Sequence, residues 1–377
     1  MSDLSRTRVK RIIPSKNKEL IGIIEENIAK IENKEFTVYF FIIDTKGNPS
    51  GNVEYTYQLA LQLSHLGYNV VMLHNEKDFI GVEEWLGSEY ANLPHKNIEK
   101  ENVEISAADF LFIPEYNLDA AVQTKELPCK RVLIAYNFDH VCDFMPITAN
   151  MEILKIHDVI TTTKVQEGII KTYFPEVKTH VVSPSINDVF TDNGDKPQNL
   201  VVNIVAKNQS DINRIVKPFF WKNPLYKWVS FRDLRGFSQE AFAEALRNGA
   251  ITIWIDDSTP FGLSALEAMR SGTILLAKTP IRLTDWMITH TDDGGIDLTD
   301  ACLWFESLDS LPDMIVSIVR NWTLDQIPHE IYDKQKLMNG RYTKETQAKE
   351  IEMVFGNEIF KQRAEDYKVV VSALKKK

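Results

Sequence analysis

The feature that most narrows the fold of this chain is a recurring alternation: short apolar runs, too brief for helices, are separated by polar loops and helical periodicities. The run at 36–44 is rich in aromatic and β-branched residues, and further runs follow at 69–74, 108–114, 130–136 and 158–163. Strands that are apolar on both faces belong inside parallel sheets covered by helices. Between the first two runs lie a loop holding Gly47 and Gly51 and a helical stretch at 53–66 stopped by Gly67. Strand, glycine-containing loop, helix and strand make a βαβ unit of the Rossmann type.

The stretch 183–197 is dense in Pro, Ser, Asn, Asp and Gly, the punctuation of a linker. A second alternating series begins at 199–206 and continues at 228–231. A helix at 238–248, capped by Ser238 and stopped by Gly249, leads into runs at 251–255 and 274–278. With 377 residues the chain exceeds what one core usually holds. The expected organisation is an N-terminal helical extension at 1–35, a Rossmann-like domain at 36–185, a second at 186–345 and a C-terminal helical segment at 346–377. In the extension, Ile21, Ile24, Ile28 and Ile31 recur at spacings of three and four, the stripe of an amphipathic helix.

Composition excludes several classes. A hydrophobic share of 44% and a charged share of 25% are those of a globular protein. No apolar run approaches bilayer length and the N-terminus lacks a secretory signal, so a cytoplasmic protein without a transmembrane segment is expected. A net charge of −10 argues against broad attraction to nucleic acid, and the basic stretches 6–11 and 375–377 read as solvated ends. Cys129, Cys142 and Cys302 are too scattered for a disulfide framework or a zinc site and read as core thiols.

The chemistry concentrates at 255–273. A helix that starts after Phe261, Gly262, Leu263 and Ser264 presents unpaired N–H groups and its positive dipole end at the carboxyl edge of a parallel sheet, which suits an anion. Gly262 would let a ligand approach the backbone, Ser264 adds a hydroxyl, and Glu267 lies about one turn further on. A bound diphosphate would then bring a ribose hydroxyl pair to the Glu267 carboxylate.

The stretch 259–272, TPFGLSALEAMRSG, resembles the donor-site signature of the retaining GT-B glycosyltransferases (glycosyltransferase family 4, group 1-like), written Glu-x-Phe-Gly-x-x-x-x-Glu. The stretch 50–55, SGNVEY, is similar to that family's first glycine-rich turn. The stretch 181–190, VVSPSINDVF, is similar to its interdomain segment. The three occur in the family's order. The resemblance implies a GT-B fold: two Rossmann-like parallel-sheet domains facing a cleft, the first (36–185) for the acceptor and the second (186–345) for the nucleotide-sugar donor. It implies that Glu267 binds the ribose, that Phe261, Gly262, Leu263 and Ser264 surround the diphosphate with Ser258 beside them, and that Gly51 and Asn52 face the cleft from the first domain. The first Glu of the signature is Thr259 here; a hydroxyl still bonds a sugar, and Asp256 or Asp257 is a substitute unless both simply cap the strand.

The family also places an Arg and a Lys in the first loop of the second domain against the leaving diphosphate. Lys207 and Lys217 are the candidates, with Arg214 in reserve. At the end of the run 130–136, His140, with Asp139 second, is where related enzymes touch the sugar or acceptor; the plainer reading is a structural histidine. The histidines show no ligand spacing and Asp256-Asp257 is not Asp-x-Asp, so no metal is implied, and the nucleotide sugar is substrate rather than cofactor. The acceptor is open among glycan, lipid, protein and modified DNA. Rival readings are an inactive GT-B-like binding or structural protein, suggested by Thr259; a viral DNA-base glycosyltransferase, suggested only by the basic ends; and a nucleotide-sugar epimerase.

Overall fold

The computed structural model describes residues 17–192, 194 and 200–376. The basic stretch 6–11 and most of 193–199, the end of the linker, lie outside them. The chain divides into two compact units, one reaching Pro184 and taking in Gln347 onward, the other Ser185–Thr346.

The first unit opens with α1 (Asn17–Glu32) and continues β1 (Thr37–Phe41), α2 (Gly51–His65), β2 (Asn69–His74), α3 (Ser88–Ala91), β3 (His95–Asn97), β4 (Phe110–Pro114), α4 (Leu118–Gln123), β5 (Lys130–Ala135), α5 (Phe138–Phe144), β6 (Asp158–Thr161), α6 (Lys164–Tyr173) and β7 (Lys178–Val181). Its seven strands pair in the order β3-β2-β1-β4-β5-β6-β7, and every pairing is parallel. The order reverses between β1 and β4, the point where open α/β sheets leave a crevice at their carboxyl ends. Central strands are buried along almost their whole length because helices cover both faces.

The second unit comprises β8 (Val201–Ala206), α7 (Gln209–Lys222), β9 (Ser230–Asp233), α8 (Gln239–Arg247), β10 (Ile251–Ile255), α9 (Leu263–Arg270), β11 (Ile274–Lys278), the hairpin β12 (Ile288–His290) and β13 (Ile296–Leu298), β14 (Leu303–Phe305), α10 (Leu311–Thr323) and α11 (His329–Asn339). Five parallel strands run β14-β11-β10-β8-β9, reversing between β8 and β10. Ser238 caps α8 by accepting the Ala241 N–H at 3.3 Å. Each unit is thus a Rossmann-like parallel sheet flanked by helices with its own apolar core.

The chain then passes through α12 (Lys344–Ile351), a π-helix (Glu352–Lys361) and α13 (Gln362–Lys375). From Gln347 onward this last stretch belongs to the first unit. Tyr367 donates to the Ala107 carbonyl at 2.8 Å, and His180 of β7 sits between Asp158 (3.0 Å) and Glu358 of the π-helix (2.8 Å). Among the described residues no helix is long and apolar enough to cross a membrane.

Candidate active site

In the second unit the chemistry gathers where the sheet order reverses. Lys207 follows β8, Arg235 follows β9, and Asp256 follows β10, so three consecutive crossovers deliver charged side chains to one edge. With Ser264 and Trp254 they line a cavity of about 140 Å³. Lys207 Nζ lies 3.0 Å from Asp256 Oδ1, and Arg235 forks onto both oxygens of Asp233. That hydrogen bond raises Arg235 above its already high pKa and holds Asp233 below the usual carboxylate range. Both cations are therefore positioned by carboxylates before any ligand arrives.

The N-terminus of α9 points at the same edge. Its cap is Gly262, in the left-handed region at φ 84°, and no side chain caps the first turn. Trp254 donates its indole N–H to Ser264 Oγ at 3.1 Å, which fixes the oxygen and leaves the hydroxyl proton to donate onward.

The signature residues divide. Of those expected at a donor, Lys207, Asp256 and Ser264 line the cavity. Thr259, Phe261, Gly262 and Leu263 are buried in the protein. The Phe261 carbonyl accepts from Trp286 Nε1 and Thr284 Oγ1, and its ring packs edge-on against Tyr342. The expectation that Gly262 leaves room for a ligand is corrected: a Cβ there would stand 3.1 Å from Trp286, 3.2 Å from Met287 and 3.4 Å from Trp254, so protein fills that side. The glycine meets the turn's φ and the indole packing. Glu267 is buried on the second turn of α9, on the helix that carries Ser264, and does not line the cavity. Ser258 is exposed and its N–H reaches Asp256 Oδ1 at 3.4 Å, the strand-end capping role. Asp257 pairs with Lys278.

The expected loop cations are also corrected. Helix α7 begins at Gln209, so the loop after β8 is only Lys207 and Asn208; Arg214 and Lys217 sit on exposed positions of the helix, and neither lines the cavity. The chain folds there on the stripe of Ile212, Ile215 and Phe219, which are buried and turn both cations to solvent. Arg235 carried no motif and was missed; only its place after an edge strand brings it to Lys207.

In the first unit a second cluster occupies the carboxyl ends of β1, β4 and β5. Asn52 stands in the first turn of α2, Glu115 directly after β4 and His140 on α5. Asn52 Nδ2 donates to Glu115 Oε1 at 3.0 Å and lies 2.8 Å from His140 Nδ1. Glu115 is fully buried and also accepts the N–H groups of Tyr136 at 3.2 Å and Asn137 at 3.3 Å. Its hydrogen bond and charge raise the His140 pKa above the ordinary 6.5, against the effect of burial. Neutral His140 accepts from Asn52 and so keeps its proton on Nε2; protonated, its Nδ1–H faces Glu115 Oε1 at 3.5 Å. Gly51 packs tightly, since a Cβ there would lie 3.0 Å from the Tyr136 hydroxyl and the ring would have to shift by a few tenths of an ångström. Asp139 is half-buried on α5 and its N–H bonds Asn137 Oδ1 at 3.0 Å, part of that helix's cap. Thus Asn52 and His140 come together, and Glu115, which joins them, had no signature: a lone Glu after an apolar run reads as a strand end.

The two-sheet architecture recurs in solved structures. A glycosyltransferase from Rickettsia africae ESF-5 matches at a TM-score of 0.60 and 13% identity, covering 87% of this chain and 98% of that one. HepE from Anabaena, solved with UDP-glucose, matches at 0.60 and 10%, covering 85% and 99%. Sucrose-phosphate synthase from Thermosynechococcus elongatus matches at 0.58 and 12%, covering 85% and 98%. These are GT-B glycosyltransferases, and the chain has the GT-B fold. No protein-family model matches the chain, and no curated protein matches its sequence.

Proposed function

We propose that this chain transfers a sugar from a nucleotide-sugar donor to an acceptor, with retention of anomeric configuration and without a metal, the donor held by the second unit and the acceptor by the first. The observation that carries this reading is the cavity at the carboxyl ends of β8, β9 and β10, where Lys207 and Arg235 converge on the open N-terminus of α9 and Ser264. A diphosphate there replaces Asp256 and Asp233 as the partner of both cations, and the donors already in place stabilise the charge that develops as it leaves. Glu267, further along α9, takes the ribose. The UDP-glucose in the HepE structure supports the donor class. In the reaction the bond from the anomeric carbon to the diphosphate breaks, the acceptor oxygen bonds that carbon on the same face, and the acceptor proton passes to the departing phosphate oxygen. His140, which keeps its proton on Nε2 while Nδ1 accepts from Asn52, donates to a sugar or acceptor hydroxyl, and Asp139 is its neighbour on the same helix.

The test is thermal unfolding of the purified protein with UDP-, GDP-, ADP- and dTDP-sugars and the matching nucleotides. A ligand at about a hundred times its Kd adds roughly 2.7 kcal/mol. One selective shift, lost in a folded Glu267→Ala variant, is expected, followed by transfer whose product anomer is read by NMR. Silence across the panel would leave a GT-B-shaped binding protein instead, the reading that Thr259 in the signature favours.

A further inference from the structure

The two exposed tryptophans among the described residues lie close together in the chain. Trp221, in the last turn of α7, is 76% exposed; Leu225, in the 3-10 turn Pro224–Tyr226, is 87% exposed; Trp228 is 54% exposed. By contrast Trp85, Trp254 and Trp286 are buried and Trp304 and Trp322 are partly so. Large apolar side chains concentrated on one exposed segment mark a contact surface, whereas scattered ones need no explanation.

The segment is held rigidly from beneath. Phe219 is fully buried, with the rings of Phe220, Phe231 and Tyr226 around it at centroid distances of 5.3, 5.1 and 6.3 Å. Tyr226 stacks on Trp228 at 6.0 Å and accepts from Arg320 Nε at 2.9 Å. The inward aromatics anchor the turn, beside which Leu225 and Trp228 stand exposed, as Trp221 does on the last turn of α7. The charges within the segment itself are all positive. Lys217, Lys222 and Lys227 are exposed, Lys222 pairs with Asp313 of α10 at 2.6 Å, and 217–228 contains no acidic residue in a chain of net charge −10.

We propose that this face docks onto a lipid bilayer carrying anionic headgroups. Trp and Tyr rings settle at the headgroup level of a membrane, Leu225 enters the acyl boundary, and lysines lay their methylene stems along the surface while the ammonium groups meet headgroup anions. A neutral glycan would use ring faces but would gain nothing from the lysines or from an aliphatic tip. The proposal is independent of the donor chemistry.

The test uses the full chain with vesicles of phosphatidylcholine alone and of phosphatidylcholine with phosphatidylserine. Co-sedimentation with the anionic vesicles, a blue shift of tryptophan emission and weakening by salt are expected. Lys227→Glu, a reversal of one surface charge, should lower the partition about thirtyfold. Trp221→Ser with Leu225→Ser, the two most exposed apolar side chains of the segment, should abolish both partition and blue shift while leaving the circular dichroism and unfolding midpoint in place. Absence of binding to the anionic vesicles, or equal binding by the double variant, would overturn the proposal. So would an emission shift with soluble maltooligosaccharides that the double variant loses, since the face would then belong to a glycan.

Discussion

Glu115→Gln keeps the size and shape of a fully buried side chain and removes one negative charge where β4, α2 and α5 meet. The carboxylate accepts from Asn52 and Asn137 at one oxygen and from Tyr136 at the other. A glutamine has a single oxygen. If it takes the Oε1 position, the Tyr136 N–H is left facing an NH₂ group; if it takes the other, Asn52 and Asn137 lose their acceptor. The less costly choice leaves one buried backbone donor unsatisfied, about 1–3 kcal/mol, and it also weakens hydrogen bonds that had been charge-assisted. The pH dependence changes too. His140 has its folded pKa raised above 6.5, so its contribution to stability is complete below that value and is lost as the pH climbs through the folded pKa. With Glu115 neutral the main cause of the raised value is gone, and this part of the stability curve flattens. Solvent screens this part, because the His140 side chain is 36% exposed. Urea unfolding at several pH values and an NMR titration of the His140 ring read both effects. An unfolding free energy within about 0.5 kcal/mol of wild type, the usual scatter of neutral changes, together with an unmoved His140 titration, would refute the reasoning.

Two further outcomes follow from the second unit. Arg235→Ala is expected to weaken nucleoside-diphosphate binding by about 1.5–3 kcal/mol, the range for hydrogen bonds to charged groups, while Arg214→Ala leaves it unchanged; calorimetric titration that ranks them the other way would return the clamp to α7. Gly262→Ala combines a positive φ with a Cβ placed 3.1 Å from Trp286, and should lower stability by about 2–4 kcal/mol; an unaltered unfolding midpoint would show that the turn relaxes freely.

What the sequence determined by itself was the set of elements and their class. Strands β1, β2, β4, β5, β8, β10 and β11 all fall on predominantly apolar runs, because two covered faces favour apolar residues along the strand, with Arg131, Asn203 and Thr252 as buried polar exceptions. Helices α1, α2 and α8 carry a stripe or a stop signal that local physics reads directly. The strands that the sequence did not mark, β3, β7 and β14 at sheet edges and the hairpin β12–β13, are short and carry partly exposed residues, so neither hydrophobicity nor period distinguishes them from loops. The signature at 259–272 likewise marked a turn and the helix α9, and Ser264, in the first turn of that helix, lines the cavity. Tertiary structure decided the rest. Lys207, Arg235 and Asp256 meet only because parallel crossovers bring the ends of β8, β9 and β10 to one side, and Asn52, Glu115 and His140 meet for the same reason in the first unit. Convergence of this kind depends on sheet order, a property of contacts distant in the chain, whereas the α7 stripe that carried Arg214 and Lys217 away from the cavity was written locally and overruled their spacing.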